Sequence, residues 1–291
     1  MRHTSLGPRV YSLSVVAVMS IFILLQQIAN IRFAAIVSAI LAAAWICYLE
    51  WRNPYRESWR PDRPQVTTDL VYMALVQNLL PLSLGYLAAL YIGAGAKAFS
   101  LQPLWPQQWP LWAQVTLMLL GAEFFRYWLH RVSHHWDPLW ALHAVHHSSR
   151  KLNWINVGRF HPVEKSLQFL LDTLPFLVLG VSQEVISAYF VLYATNGFFQ
   201  HANINLRLGW LNWIVSGPEL HRWHHSRRPG ESDSNFGNNL IVWDWVFATR
   251  YLPANRAVDE LGLINRNYPG TFTGQMIAPF KPGLDKKEDT Q

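Results

Sequence analysis

VYSLSVVAVMSIFILLQQIANI, residues 10–31, runs for 22 residues without Asp, Glu, Lys or Arg. At 1.5 Å per residue, a helix of this length crosses the roughly 30 Å of a bilayer's hydrocarbon. A second apolar run, 33–49, follows at once, and no small-x-small cleavage site closes the first. The pair therefore reads as an uncleaved helical hairpin rather than a signal peptide. Outward from it, 70–96 is a third uncharged run, in which Pro81 and Gly85 would kink a lipid-embedded helix without ending it. A fourth, 111–129, is polar at one end only, through Glu123, Arg126 and, just beyond it, His130. The stretch 167–199 is apolar around Asp172 and Glu184, with Pro175 and Gly180 near its middle, and reads as a hairpin that enters and leaves on one side.

Composition agrees with a membrane protein. Only 14% of the 291 residues are charged, against about 25% in ordinary globular chains. Hydrophobic residues make up 51%, and the 15 Trp, 15 Phe and 11 Tyr are of the kind that collects at membrane interfaces. A nucleic-acid partner is excluded on the same grounds. The single cysteine, Cys47, leaves no intrachain disulfide and no Cys-based zinc or iron–sulfur site, so any metal must use other ligands.

The loop 50–65 holds Arg52, Arg56, Arg60 and Arg63, whereas 93–110 holds only Lys97. By the positive-inside rule the arginine-rich loop is cytoplasmic, and Arg2 and Arg9 place the N-terminus there too. Everything after His130 then lies on the same face. The expected fold is an all-α integral membrane protein. It has about four transmembrane helices plus a membrane hairpin, and a cytoplasmic helical cap that holds a histidine cluster, in a bacterial inner membrane. The expected division is an N-terminal transmembrane hairpin with its Arg-rich loop (1–65), a membrane and catalytic domain (66–252) and a C-terminal tail (253–291), charged and disordered from Lys281 onward.

Eleven of the 12 histidines, all but His3, fall between His130 and His225. They form His130-x3-His134 with His135 beside it, His143-x2-His146-His147, the single His161 and His201, and His221-x2-His224-His225. Helical residues at i, i+3 and i+4 share a face, so each triplet aims three imidazoles at one region, as do His130 and His134 at i, i+4. A catalytic zinc uses three protein ligands and one open position, and eight donors exceed that, so two metal ions fit the count better. Imidazole suits Fe, Zn, Cu and Ni alike. The zincin pattern His-Glu-x-x-His is absent. His135 reads as a solvated interfacial residue and His3 as irrelevant, while His161 and His201 are open between metal ligand and supporting residue.

The order Glu123-Phe-Phe-Arg-Tyr-Trp-Leu-His130-Arg131-x2-His134, Leu139-Trp140-x2-His143-x2-His146-His147-Ser148, Arg159-Phe-His161-Pro162-x-Glu164 and Glu219-Leu-His221-x2-His224-His225 resembles the fatty acid hydroxylase / sterol desaturase superfamily. The resemblance covers roughly 110–252. It implies an integral membrane, non-haem di-iron oxidoreductase that uses O2 and two electrons to hydroxylate or desaturate a lipid. The ligands it implies are His130, His134, His143, His146, His147, His221, His224 and His225. His201, in Phe199-Gln200-His201, resembles an extra ligand from the last hairpin. The second histidine that some hydroxylases carry four residues earlier is Gly197 here, which leaves His161, Asn196 or a water to complete the set.

Attack on an unactivated C–H bond needs a redox-active metal, which excludes zinc as the functional ion and leaves two Fe ions with O2 as co-substrate; zinc would only substitute on overexpression. Metal-bound histidines donate their second N–H to carboxylates or carbonyls, for which Glu123, Asp137, Glu164 and Asp244 are candidates. Arg131, Arg159 and Arg222 are candidates for binding lipid head groups or an acidic electron donor. The tryptophans around the motifs read mainly as an interfacial belt, and Gly237 with its flanking asparagines as a turn with left-handed backbone. With no His-Pro-Gly-Gly segment, no fused cytochrome b5 is expected, so electrons would come from a separate ferredoxin, cytochrome or reductase. The reading is a lipid hydroxylase (monooxygenase). Its alternatives are a desaturase with the same site, a zinc-dependent lipid hydrolase and a membrane metal-binding protein.

Overall fold

The computed structural model describes residues 5–99 and 103–284. Arg2, His3 and the part of the charged tail from residue 285 onward lie outside it. The helices are α1 (Pro8–Leu25), α2 (Ile31–Arg52), α3 (Arg63–Val71), a π-helical segment (Tyr72–Leu79), α4 (Leu80–Phe99), α5 (Leu111–His135), α6 (Asp137–His147), α7 (Pro162–Asp172), α8 (Leu174–Val178), α9 (Gln183–His201), α10 (Pro218–His224), α11 (Pro229–Ser232), α12 (Val242–Val246) and α13 (Phe272–Ile277). Among the described residues there is no strand, only isolated bridges.

Local chemistry sets the helix starts. Asn30 accepts from Phe33 N at 2.9 Å to open α2, Asp62 accepts from Gln65 N at 2.9 Å to open α3, and Ser182 accepts from Val185 N at 3.3 Å to open α9. Each satisfies an N–H that the first turn leaves without a helical partner. The hairpin expected over 167–199 is α7, α8 and α9, and it reverses at Gly180, whose φ of +80° is a left-handed conformation that a side chain would strain.

Among the described residues, three helical stretches are long and apolar enough to cross a membrane: Pro8–Leu25, Ile31–Arg52 and Arg63–Ile92. α5, expected as a fourth, is 25 residues long, but its second half carries Glu123, Arg126, His130, Arg131 and His134, which dilutes its apolarity. Spacings of three and four residues put Glu123, Arg126, His130 and His134 in one stripe, and that stripe faces inward.

α1 and α2 pack on α9 through a core that includes Phe22, Ala42, Ile46, Val185, Val191 and Phe199. Tyr11 donates to Asn196 across this seam at 2.8 Å. Leu6 bridges Leu206 and Pro54 bridges Ile204, so the start of α1, the end of α2 and the end of α9 lie at one level. Opposite the core, Leu13, Ile28, Ile40, Leu82 and Tyr91 are exposed, as lipid-facing residues would be. The segment after 252 is anchored: Val258, Leu261, Leu263 and Gln275 are buried, and Gln275 accepts from the Tyr72 hydroxyl at 2.8 Å.

Candidate metal centre

The structure sorts nine histidines into two groups. In the first, His130 and His134 of α5, His143 and His147 of α6 and His224 of α10 bring one ring nitrogen each to within 4.8 Å of one another. In the second, His146 of α6, His201 of α9, His221 of α10 and the adjoining His225 do the same. The groups abut, with the His147 and His225 rings stacked at 4.5 Å.

The outer nitrogens are held by acceptors. His130 Nδ1 donates to Phe236 O (2.7 Å), His134 Nδ1 to Asp233 (2.8 Å), His143 Nδ1 to Glu164 (2.8 Å) and His224 Nδ1 to Ser234 O (2.8 Å). In the second group His201 Nδ1 donates to Asn156 Oδ1 (2.8 Å) and His146 Nδ1 to Arg159 O (3.3 Å). A neutral imidazole has one N–H, so committing Nδ1–H outward leaves Nε2 a bare lone pair.

The inner nitrogens converge. His147 Nε2 stands 3.1 Å from His134 Nε2 and 3.1 Å from His224 Nε2. In the second group His221 Nε2 lies 2.9 Å from His201 Nε2 and 3.1 Å from His225 Nε2, which is 3.1 Å from His146 Nε2. Nitrogens this close are either linked through a single N–H or gathered round a cation, and the separations suit metal–nitrogen bonds of about 2.0–2.1 Å. The donor set therefore fits two metal ions. Burial, followed by repulsion from neighbouring imidazoles, holds His146, His147, His221 and His225 well below the ordinary histidine range, so they stay neutral and able to ligate.

His161 stands outside both groups. It opens α7, its Nδ1 accepting from Val163 N and its Nε2 donating to Met276 O, both at 3.3 Å. Asn196 is occupied by Tyr11, Ser216 O and Asn238 O. His135 is exposed and is in neither group.

Of the expected carboxylates, Glu164 touches a histidine directly. Glu123 instead gathers the backbone N–H groups of Asn238, Asn239 and Leu240, and Asp244 those of Phe236 and Gly237. They act one step further out, by fixing the loop whose Phe236 carbonyl receives His130. Burial pushes the Asp244 carboxyl up to about 6 against those hydrogen bonds. Asp137 is exposed at the start of α6. Asp233 and Asn156 hold histidines and went unread in the sequence, because neither sits at a helical interval from the residue it holds. The left-handed residue of the 235–239 turn is Asn235 (φ 55°); Gly237 is needed for space, since a Cβ there would come within 2.1 Å of Leu240 O.

Two of the arginines face inward. Arg159 Nε donates to Asp69 at 2.9 Å, which ties α3 to the residue whose carbonyl receives His146. Arg222 is buried, its guanidinium 4.1 Å from the Tyr55 ring centre. Arg131 lies against Trp128 and Tyr127.

A cavity of about 620 Å³ leads to the histidines. Its walls are apolar residues of α2, α3, the π-helical segment and α9, among them Ile36, Ala43, Met73 and Phe190, and it reaches His130, His143, His146, His201 and His221 of both groups. Such a volume is ordinary for a small-molecule pocket.

An all-helical membrane scaffold that carries a buried, doubly grouped histidine centre at the end of an apolar cavity defines a histidine-rich membrane metalloenzyme. The profile of the fatty acid hydroxylase family matches residues 115–249. Ornithine lipid hydroxylase OlsE of Rhizobium tropici is 34% identical over 247 residues, covering 81% of this chain and 72% of that protein. Alkylglycerol monooxygenases are similar too: that of Xenopus tropicalis is 32% identical over 53% of this chain and 33% of its own length, and that of Homo sapiens 30% identical over 55% and 34%. The chain thus spans about a third of the length of those monooxygenases. No solved structure matches it. The chain belongs to the fatty acid hydroxylase family and is an oxygen-dependent hydroxylase.

Proposed function

We propose that this protein is a membrane-bound, non-haem di-iron monooxygenase that hydroxylates a C–H bond of a membrane lipid. One O2, two electrons and two protons are consumed, one oxygen atom entering the lipid and the other leaving as water. The observation that carries this reading is the convergence of imidazole nitrogens in two adjoining groups at the end of an apolar cavity. When bound, two irons supply the redox chemistry that zinc lacks. The chain's own residues divide the remaining work. His130, His134, His143, His147 and His224 would hold one ion and His146, His201, His221 and His225 the other. Glu164, Asp233, Asn156 and the carbonyls of Phe236, Ser234 and Arg159 fix the imidazole tautomers, and the cavity excludes water from the substrate carbon.

Of the substrates that the relatives' names give, an ornithine-type lipid is favoured over an alkylglycerol, because the match to OlsE covers 81% of this chain and 72% of that protein, against 53–55% and 33–34% for the two alkylglycerol monooxygenases. Electrons come from a separate ferredoxin, cytochrome or reductase. The arginines of 50–65 favour a cytoplasmic centre and N-terminus in a bacterial inner membrane.

The test is iron content and O2-dependent turnover of purified protein, with mass spectrometry of host lipids with and without the gene. About two irons per chain and a lipid 16 Da heavier are expected. A lipid 2 Da lighter would make the enzyme a desaturase, and turnover that persists without O2 would overturn the proposal in favour of a hydrolase.

A further inference from the structure

Arg126 is 6% exposed, buried beside the carboxylates of Glu123 and Asp172. It is one helical turn before His130, and both line the same cavity. A guanidinium offers five N–H donors. Here Nη2 donates to Asn238 Oδ1 at 3.2 Å, while buried Nη1 has no hydrogen-bond partner. Asp172 Oδ2 stands 3.7 Å from Nη1, beyond hydrogen-bond reach, and the other Asp172 oxygen accepts from Thr173 at 2.8 Å. A charge this deep is costly unless it is both paired and hydrogen-bonded; Asp172 supplies the pairing, and Nη1 is left with an unfilled donor.

The wall beside it is polar too, but with unfilled acceptors rather than donors. Gln168 and Tyr193 line the cavity with Arg126, and Gln168 Oε1, like Glu164 Oε2, is buried without a hydrogen-bond partner. The opposite end of the cavity is apolar and reaches the surface: Ile36 and Ile40 of α2 and Leu70 of α3 line it and are 52%, 61% and 53% exposed. A ligand that fits both ends has an acyl chain directed outward between α2 and α3 and an oxyanion directed inward at Arg126.

We propose that Arg126 is a specificity-determining residue that binds the oxyanion of the substrate lipid, a carboxylate such as that of an acylated amino acid or a phosphate, beside the histidine centre. This rests on the lipid hydroxylase reading and deepens it. With the anion fixed one turn from His130, the carbons presented to the centre are those near the head group, not the chain terminus.

The experiment is equilibrium binding to the purified full chain in nanodiscs, without reductant, which separates it from any failure of turnover. The probes are N-oleoylglycine, its uncharged methyl ester and oleoyl lysophosphatidate. The wild type is expected to bind the free acid about tenfold or more tightly than the ester, the weight of one charge-assisted hydrogen bond. Arg126→Gln should erase that preference and leave affinity for the ester unchanged, and Arg126→Lys should keep part of it. Preference for the lysophosphatidate over the acid would identify a phosphate as the anion. Equal binding of acid and ester by the wild type overturns the proposal, whether or not the variants fold, as does an unchanged preference in folded Arg126→Gln.

Discussion

Asp233 accepts a 2.8 Å hydrogen bond from His134 Nδ1, although the two residues are 99 positions apart. The bond fixes the tautomer that turns His134 Nε2 toward His147, and it connects the end of α11 to the first histidine group. Removal of such an outer partner from a metal site ordinarily costs about 10–100-fold in metal affinity or activity. Asp233→Ala should therefore lose affinity for iron in that range, while Asp233→Asn, whose amide oxygen still accepts, should lose much less. Iron titration of stripped protein measures both; equal behaviour of the two variants would show that the hydrogen bond does not matter.

The split of neighbouring histidines gives a sharper test. His146 and His147 are adjacent in sequence yet face different groups. His146→Ala and His147→Ala should each retain about one iron per chain, and the double variant none, since each group loses a ligand. His147→Ala/His224→Ala, confined to one group, should still retain about one. Metal analysis of the four proteins decides it, and a double variant of the second kind that holds no iron would contradict two separable sites.

His161→Ala should leave iron content unchanged. The residue caps α7, so the expected effect is a loss of about 1 kcal/mol of stability, read as a lower midpoint in thermal or denaturant unfolding. Loss of iron equal to that of His146→Ala would make it a ligand after all.

The buried histidines set the direction of the pH dependence. His146, His147, His221 and His225 bind protons less readily when folded than when unfolded, where the ordinary value is 6.5. Their contribution to stability is therefore fully present above pH 6.5 and is lost as pH falls below it toward their folded values. Metal-stripped protein should unfold at progressively lower temperature from pH 6.5 downward, and the iron-loaded protein should release metal in the same direction. A midpoint that is flat across pH 7 to 5 would show that these rings are not buried neutral.

Asp69 and Arg159 form a buried pair between α3 and the chain that receives His146. Asp69→Ala, which strands the guanidinium, should cost about 3–5 kcal/mol. Asp69→Ala combined with Arg159→Leu should cost less than that single change, because neither charge is then left alone. Chemical denaturation of the three proteins compares them.

The apolar runs and the histidine triplets were legible in the sequence because each is local: it depends on spacing along one helix and on residues within a turn of one another. Glu164 was legible for the same reason, as part of a short motif beside His161. Tertiary structure decided the rest. Consecutive helical residues point about 100° apart, so the periodicity that places His143, His146 and His147 on one face cannot say that His143 and His147 join α5 while His146 joins α9. That partition depends on how α5, α6, α9 and α10 approach one another. The same holds for Asp233 and Asn156, which reach their histidines from distant loops, and for Arg159 and Arg222, whose charge suggested a surface role until packing turned them inward. His161 shows the converse. It stands in the Arg159-Phe-His161-Pro162-x-Glu164 motif, but the path of the chain into α7 uses its ring to cap a helix, away from both groups. The sequence by itself determined which side chains could ligate and that they recur at helical intervals after the apolar runs; the packing of the helices alone decided which nitrogens come together, because convergence is a property of distances between elements and not of intervals within them.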